Sequence, residues 1–327
     1  MQGTVNHSSG FATNTTGNSS SGSGRGVPPL NNWPGGISNE TKGLLALHGS
    51  VLLAGFTGLF GKLITLHETS LVWWRMFFTV AILFVFTGLP RVSLRKLLQM
   101  AGTGTLLGLH WMLFYGSIKL SNVSIGVVCF ATIGFFTAIF EPLLLHRRFS
   151  WVELMFALIT VLGLVCIFSF DSRYRLGITV GIVSAAVCSL YTICNKQTSR
   201  NERTRVVLFY QMAGGLVGVT LLLPLYRLVF PEDTTFVQVP VGSDLWWLLA
   251  HALFCTVGLY LLQIMALKQL SAFTVNLTYN LEPCYTIILA FIFFGEGREV
   301  NFSFYIGISL VICSVLLQTL RQLRHRH

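Results

Sequence analysis

The fold class that this sequence predicts is all-α integral membrane: ten transmembrane helices arranged as two inverted five-helix repeats. Three observations predict it. Of the 327 residues, 53% are hydrophobic and only 10% charged, whereas a soluble domain carries about 25% charged residues. The apolar residues collect into ten runs, most of them near the ~20 residues that cross a ~30 Å hydrocarbon core. The runs of the first half match those of the second, five against five.

In chain order, residues 1–41 are rich in Gly, Ser, Asn and Thr and too polar to bury a core, so they read as a disordered cytoplasmic tail. The tail has no apolar h-region and is not a cleaved signal peptide. Its Asn-x-Ser/Thr sequons at Asn6, Asn14, Asn18 and Asn39 follow from composition alone. The spans fall at 43–65, 69–88, 97–118, 122–145, 151–170, 175–195, 204–228, 244–267, 271–294 and 302–320. The longest connection, residues 229–243, holds two prolines and two acids and reads as an exposed loop.

Charge sets the orientation. Fifteen of the 22 Lys and Arg residues lie on the side that holds both termini, while most acids lie opposite. The positive-inside rule therefore places both termini in the cytoplasm of a plasma membrane, or of the inner membrane in a Gram-negative cell. The net charge of +10 is accounted for by these loops and implies no nucleic acid. The seven cysteines fall singly inside apolar runs and read as small hydrophobes.

The halves align in register. Gly43 to Lys62 matches Gly177 to Lys196 at an offset of 134 residues, and Arg75-Met76 matches Gln211-Met212 at 136. Beyond the long loop, Gly108 to Ser121 matches Gly258 to Ser271 at 150, and this offset carries through the last two spans of each half. Five is odd, so the second copy must sit upside down, which places any shared site near the midplane between the halves.

These features, with Glu282-Pro283 followed by Gly295-Glu296 and Ile306-Gly307, resemble the drug/metabolite transporter superfamily, and within it the EamA-type transporters with two EamA domains. The resemblance covers about residues 43–320. It implies secondary transport of a small metabolite, often an amino acid or related compound, with export the expected direction. One departure stands out. The 150-residue offset puts Thr132 and Ile133 opposite Glu282 and Pro283, so a broken helix is expected mainly in the second half.

Glu282 is the leading site residue, because a carboxylate near the bilayer centre costs on the order of 3 kcal/mol or more. Pro283 removes a backbone donor and frees the Tyr279 carbonyl, and acyl chains satisfy neither group. Thr278, Tyr279, Tyr285 and Thr286 share the Glu282 face. This stripe either binds a coupling proton or a substrate cation, or hydrogen-bonds to a neighbouring helix. Asn276 and Asn280 form a second polar row, read as helix-helix glue.

Arg75 either attracts a substrate carboxylate, snorkels to the outer surface, or pairs with Glu68. His110, Trp111 and Tyr115 occupy the deeper half of the third span, and Tyr260 and Gln263 the matching stretch of the second copy. Glu141 is expected in an interfacial ion pair with Arg147 and Arg148. Lys62 and Lys196 read as snorkelling anchors, and His48 and His251 are left unassigned.

The sequence thus predicts a carrier with alternating access to a central cavity lined by Arg75, His110, Trp111, Tyr115, Tyr260, Gln263, Tyr279, Glu282 and Pro283. Its partners are a small solute, protons and the bilayer, with no nucleic acid and no cofactor. There is no phosphate-binding loop for ATP hydrolysis and no H-x-x-x-H or acid cluster typical of a metal enzyme. Two competing readings are a polytopic enzyme acting on lipid-linked substrates and a membrane sensor or scaffold without flux.

Overall fold

The computed structural model describes residues 38–121, 123–130, 132–146, 148–167, 175–229, 237–279 and 281–294, with single positions between 306 and 317. Most of the polar tail, most of the predicted tenth span and the Gly295-Glu296 motif therefore lie outside the described residues. All regular structure among the described residues is helical.

The first helix, α1 (Asn39–Leu63), begins a few residues before the predicted span, because the Ser38 hydroxyl caps it by accepting from Thr41 N at 3.0 Å. Asn39, Glu40 and Thr41, assigned to the tail from composition, are thus helical. Helix α2 (Glu68–Thr87) stops at Gly88, whose φ of 63° suits a residue without Cβ. Helix α3 (Leu94–Leu120) follows.

The predicted fourth span is two helices, α4 (Val123–Phe130) and α5 (Ile133–Leu145). The expectation of one broken span mainly in the second half is therefore corrected. The ninth span divides as well, into α11 (Ala272–Tyr279) and α12 (Glu282–Phe294). The same break is made in two ways. Pro283 removes a donor after Tyr279. At the equivalent place, the Thr132 hydroxyl takes the Cys129 carbonyl at 2.6 Å while Thr132 N also reaches it, at 3.1 Å. Pro142, by contrast, sits inside α5 without ending it.

Between the two broken spans run α6 (Trp151–Ile167), α7 (Arg175–Ser199) and α8 (Thr204–Val229). The eighth predicted span consists of α9 (Ser243–Ala252), a π-helical turn (Leu253–Gly258) and α10 (Leu259–Gln269). Five helical stretches among the described residues are long and apolar enough to cross a membrane: Asn39–Gly61, Glu68–Thr87, Arg175–Ser199, Thr204–Leu228 and Ser243–Gln269. Helix α3 is as long, but carries Arg95, Lys96, His110 and Lys119.

Packing interleaves the halves. Helix α3 runs along α7 and α8, while α9 and α10 run along α1 and α2. In the same way α5 packs on α7, and α12 on α1. The α3–α8 contact is close because glycines line it. A Cβ on Gly104 would stand 1.8 Å from the Gln211 carbonyl oxygen.

Polar contacts tie both ends. At one end, Asp244 accepts from Thr65 N and Thr65 Oγ1 at 3.1 and 2.7 Å, and Lys119 donates to the Leu66 carbonyl and pairs with Glu68 at 3.2 Å. At the other, Lys96 pairs with Glu202, Lys268 donates to the Glu202 carbonyl at 2.7 Å, and Lys196 donates to the Leu270 carbonyl. Lys196 is therefore a helix-end cap as well as an anchor. Glu141 is buried and accepts from Phe273 N at 3.1 Å, so it caps the start of α11 from α5, while Arg147, one of its two expected partners, lies outside the described residues.

Candidate functional site

The interleaved helices leave a buried cavity of about 40 Å³ between the halves, room for only a few waters. Both helix breaks open onto it. Phe130 and Ile133 flank the first break and Tyr279 and Glu282 the second, and all four line the wall.

Arg75 is 1% exposed and points inward from α2. Its Nε donates to Thr256 Oγ1 at 2.7 Å, Nη2 to the Cys255 carbonyl at 2.7 Å and Nη1 to the Tyr115 hydroxyl at 3.2 Å. The guanidinium carbon lies 3.7 Å from the centre of the Trp111 ring. Neither snorkelling nor pairing with Glu68 describes it. Glu68 is instead approached by Lys119, His67 and Tyr226. Each terminal nitrogen of Arg75 keeps a further donor beyond the bonds named.

Trp111 is fixed in turn, its Nε1 donating to the Tyr260 hydroxyl at 3.0 Å. Its ring meets Tyr260 edge-on, centroids 5.5 Å apart. One turn along α10, Gln263 Oε1 accepts from the Tyr191 hydroxyl at 3.4 Å. The Tyr279 hydroxyl donates to Ser50 Oγ at 3.2 Å. His110 Nδ1 lies 2.8 Å from Ser184 Oγ. The Ser184 hydroxyl gives its proton to the His110 carbonyl at 2.9 Å, so Nδ1 must be the donor and Nε2 is the ring nitrogen left for the cavity. Phe130 stacks on the imidazole at 5.2 Å.

Glu282 opens α12 and is buried in the cavity wall, with Arg75 the charged group that acts on it. The cavity thus presents one cation, one carboxylate, an imidazole and several phenols among aromatic walls. It suits a small polar solute held at both ends.

Eight of the nine predicted site residues line this single cavity: Arg75, His110, Trp111, Tyr115, Tyr260, Gln263, Tyr279 and Glu282. Pro283 is placed by its backbone next to Glu282 in α12. Asn276, read as glue, both lines the cavity and donates to Thr137 Oγ1 at 2.8 Å. Sequence reasoning missed Ala54, Thr57, Phe114, Phe130, Ile133, Cys188 and Leu259, apolar or small residues that nothing distinguishes from core. It also missed the chain from Gln211 Nε2 to Asn195 Oδ1 (2.8 Å) and from Asn195 Nδ2 to Tyr191 (2.9 Å). The alignment of Arg75 with Gln211 was the available signal.

Long apolar helices around a buried cavity with charged and aromatic walls describe a multi-pass membrane protein built to hold a solute. The EamA-like transporter family model matches residues 41–169 and again 175–320, and the chain belongs to that family, within the drug/metabolite transporter superfamily. That family is one of membrane transporters.

Among curated relatives, the chain is 25% identical to an "Uncharacterized transporter" of Clostridium kluyveri over 62% of its own length and 65% of that protein's. The match therefore spans just under two thirds of that relative. It is also 22% identical to a "Probable sugar phosphate/phosphate translocator" of Arabidopsis thaliana, over 64% of this chain and 69% of that protein. A solved crystal structure superposes with a TM-score of 0.65 at 17% identity, covering 88% of this chain and all of the other, which supports the fold.

Proposed function

We propose that the chain is a secondary transporter that carries a small metabolite across the plasma or inner membrane by alternating access, with export the favoured direction. Its two halves act as inverted five-span repeats, and both termini face the cytoplasm. The observation that carries this reading is the convergence of Arg75, Trp111, Tyr260 and Glu282, two from each half, on one buried cavity. The reciprocal packing of α3 on α7 and of α10 on α1 supports the repeat relationship, and inverted repeats place the solute between rocking halves.

An amino acid or related compound is the leading solute, its carboxylate facing Arg75 and its ammonium facing Glu282. The cavity of about 40 Å³ is too small for such a molecule. The halves must therefore part to admit it, and this shape corresponds to a closed stage of the cycle. Glu282 is the candidate proton carrier.

The test is counterflow in proteoliposomes with a panel of labelled amino acids and, prompted by the name of the Arabidopsis relative, phosphorylated sugars. Saturable exchange of one class is expected. With that solute, Glu282→Gln should still exchange it downhill but no longer accumulate it against a gradient driven by pH. A Glu282→Gln carrier that responds to the pH gradient like the parent removes Glu282 from coupling. Absence of flux for every solute, from folded protein, leaves the sensor reading in its place.

A further inference from the structure

The π turn Leu253–Gly258 is a third helix irregularity beside the cavity. It has no proline, and the apolar pattern does not mark it. Such turns occur frequently at functional sites. Here Leu259 N donates to the Phe254 carbonyl, five residues back, and to the Thr256 carbonyl, rather than to Cys255 as in an α-helix. The Cys255 carbonyl is taken by Arg75 Nη2 at 2.7 Å, and the next side chain, Thr256, accepts from Arg75 Nε at 2.7 Å.

The same register is under-satisfied. His251 is fully buried, and neither of its ring nitrogens has a partner among the described residues. On the N-terminal side of the turn, α9 packs on α1 and α2. His251 stacks on Phe60 at 5.1 Å, and Asp244 holds Thr65 through two hydrogen bonds.

We propose that the π turn is a hinge and Arg75 its latch. While Arg75 holds Cys255 and Thr256, α9 stays packed on α1. An anionic group of the solute that draws the guanidinium into the cavity frees the Cys255 carbonyl for Leu259 N, and the turn becomes α-helical. A shift of one residue turns α9 by roughly 100° and moves it ~1.5 Å along the axis. That motion breaks the Thr65–Asp244 and Phe60–His251 contacts, exposes the orphaned imidazole to water and opens this end. The inference rests on the transport reading and adds to it which end the solute opens, and through which bond.

The test uses the full chain in proteoliposomes with Cys255 as its only cysteine. A water-soluble maleimide should label Cys255, which is 0% exposed, at least tenfold faster in Arg75→Gln than in the parent. Deletion of Phe254 in that variant, which removes the extra residue and lets an α-helical turn keep α9 in place, should return labelling to the parent rate. Spin labels introduced by Leu176→Cys and Ser243→Cys in an otherwise cysteine-free chain, both positions exposed, should move apart in Arg75→Gln and keep the parental distance once Phe254 is also deleted. Inorganic phosphate should raise labelling of the Arg75 parent, and sodium chloride at equal ionic strength should not.

Unchanged labelling in Arg75→Gln overturns the hinge, as does fast labelling that persists when Phe254 is deleted, and so does faster labelling with unchanged spin-label distances, which marks local loosening alone. If Arg75→Gln does not fold, Thr256→Val, alone and with Phe254 deleted, decides by the same two readouts. Equal responses to phosphate and chloride overturn the anionic trigger. The expected labelling in a protein that moves no solute would sustain the hinge and remove the transport reading instead.

Discussion

Arg75 lies over Trp111, guanidinium carbon to ring centre 3.7 Å, and Trp111 is itself held by the Tyr260 hydroxyl. A helix from each half thus takes part in orienting one cation. A desolvated cation over an indole contributes on the order of 2 kcal/mol. Trp111→Leu is expected to weaken binding of the solute identified by counterflow by roughly tenfold or more, and Trp111→Phe by less. Titration calorimetry checks this. Equal losses for Leu and Phe would show that the face of the ring is not what holds Arg75.

The α3–α8 seam gives a stability prediction with a built-in control. A Cβ at Gly104 would meet the Gln211 backbone at 1.8 Å, whereas one at Gly102 meets nothing within 4 Å. Gly104→Ala should therefore destabilise by about 3 kcal/mol, at the upper end of overpacking costs. Gly102→Ala should be neutral or stabilise by up to ~1 kcal/mol through helix propensity. Thermal unfolding in detergent reads both. Similar melting temperatures for the two variants would contradict the close approach.

Glu141 offers a choice between two accounts of one carboxylate. As the cap of α11 it needs only an acceptor for Phe273 N, which glutamine retains. Glu141→Ala should cost about 1–2 kcal/mol, and Glu141→Gln clearly less. If the loop arginines were its main partners, as the sequence suggested, the two variants would lose stability equally.

The Ser184–His110 pair predicts a tautomer. Since the Ser184 proton goes to the His110 carbonyl, the imidazole must carry hydrogen on Nδ1. Ring nitrogen shifts in ¹⁵N-histidine-labelled protein, with the resonance assigned by a His110→Gln variant, should show it there. Hydrogen on Nε2 alone would refute the geometry.

How much of this was legible in the sequence follows from energetics. Arg75, His110, Tyr260, Gln263 and Glu282 were visible because a polar side chain deep in an apolar span is costly unless something uses it. Their convergence was visible because the halves repeat. The break at Thr132 was not, since a hydroxyl bonding back to a carbonyl occurs in unbroken helices too. Nor was the π turn, because one extra residue in an apolar run leaves the hydropathy pattern unchanged. The capping role of Glu141 was hidden because proximity along the chain points only to arginines, while the fold adds the amide of a distant helix.

The crossed embrace of α3 with α7 and α8, and of α10 with α1, has a consequence for assembly. Among the described residues the broadest helix contacts run between the halves rather than within them, so a chain severed near residue 172 should yield two fragments that are each degraded when made alone. Produced together in one cell, they should find each other and restore the carrier, in the way that two separate subunits form an obligate pair.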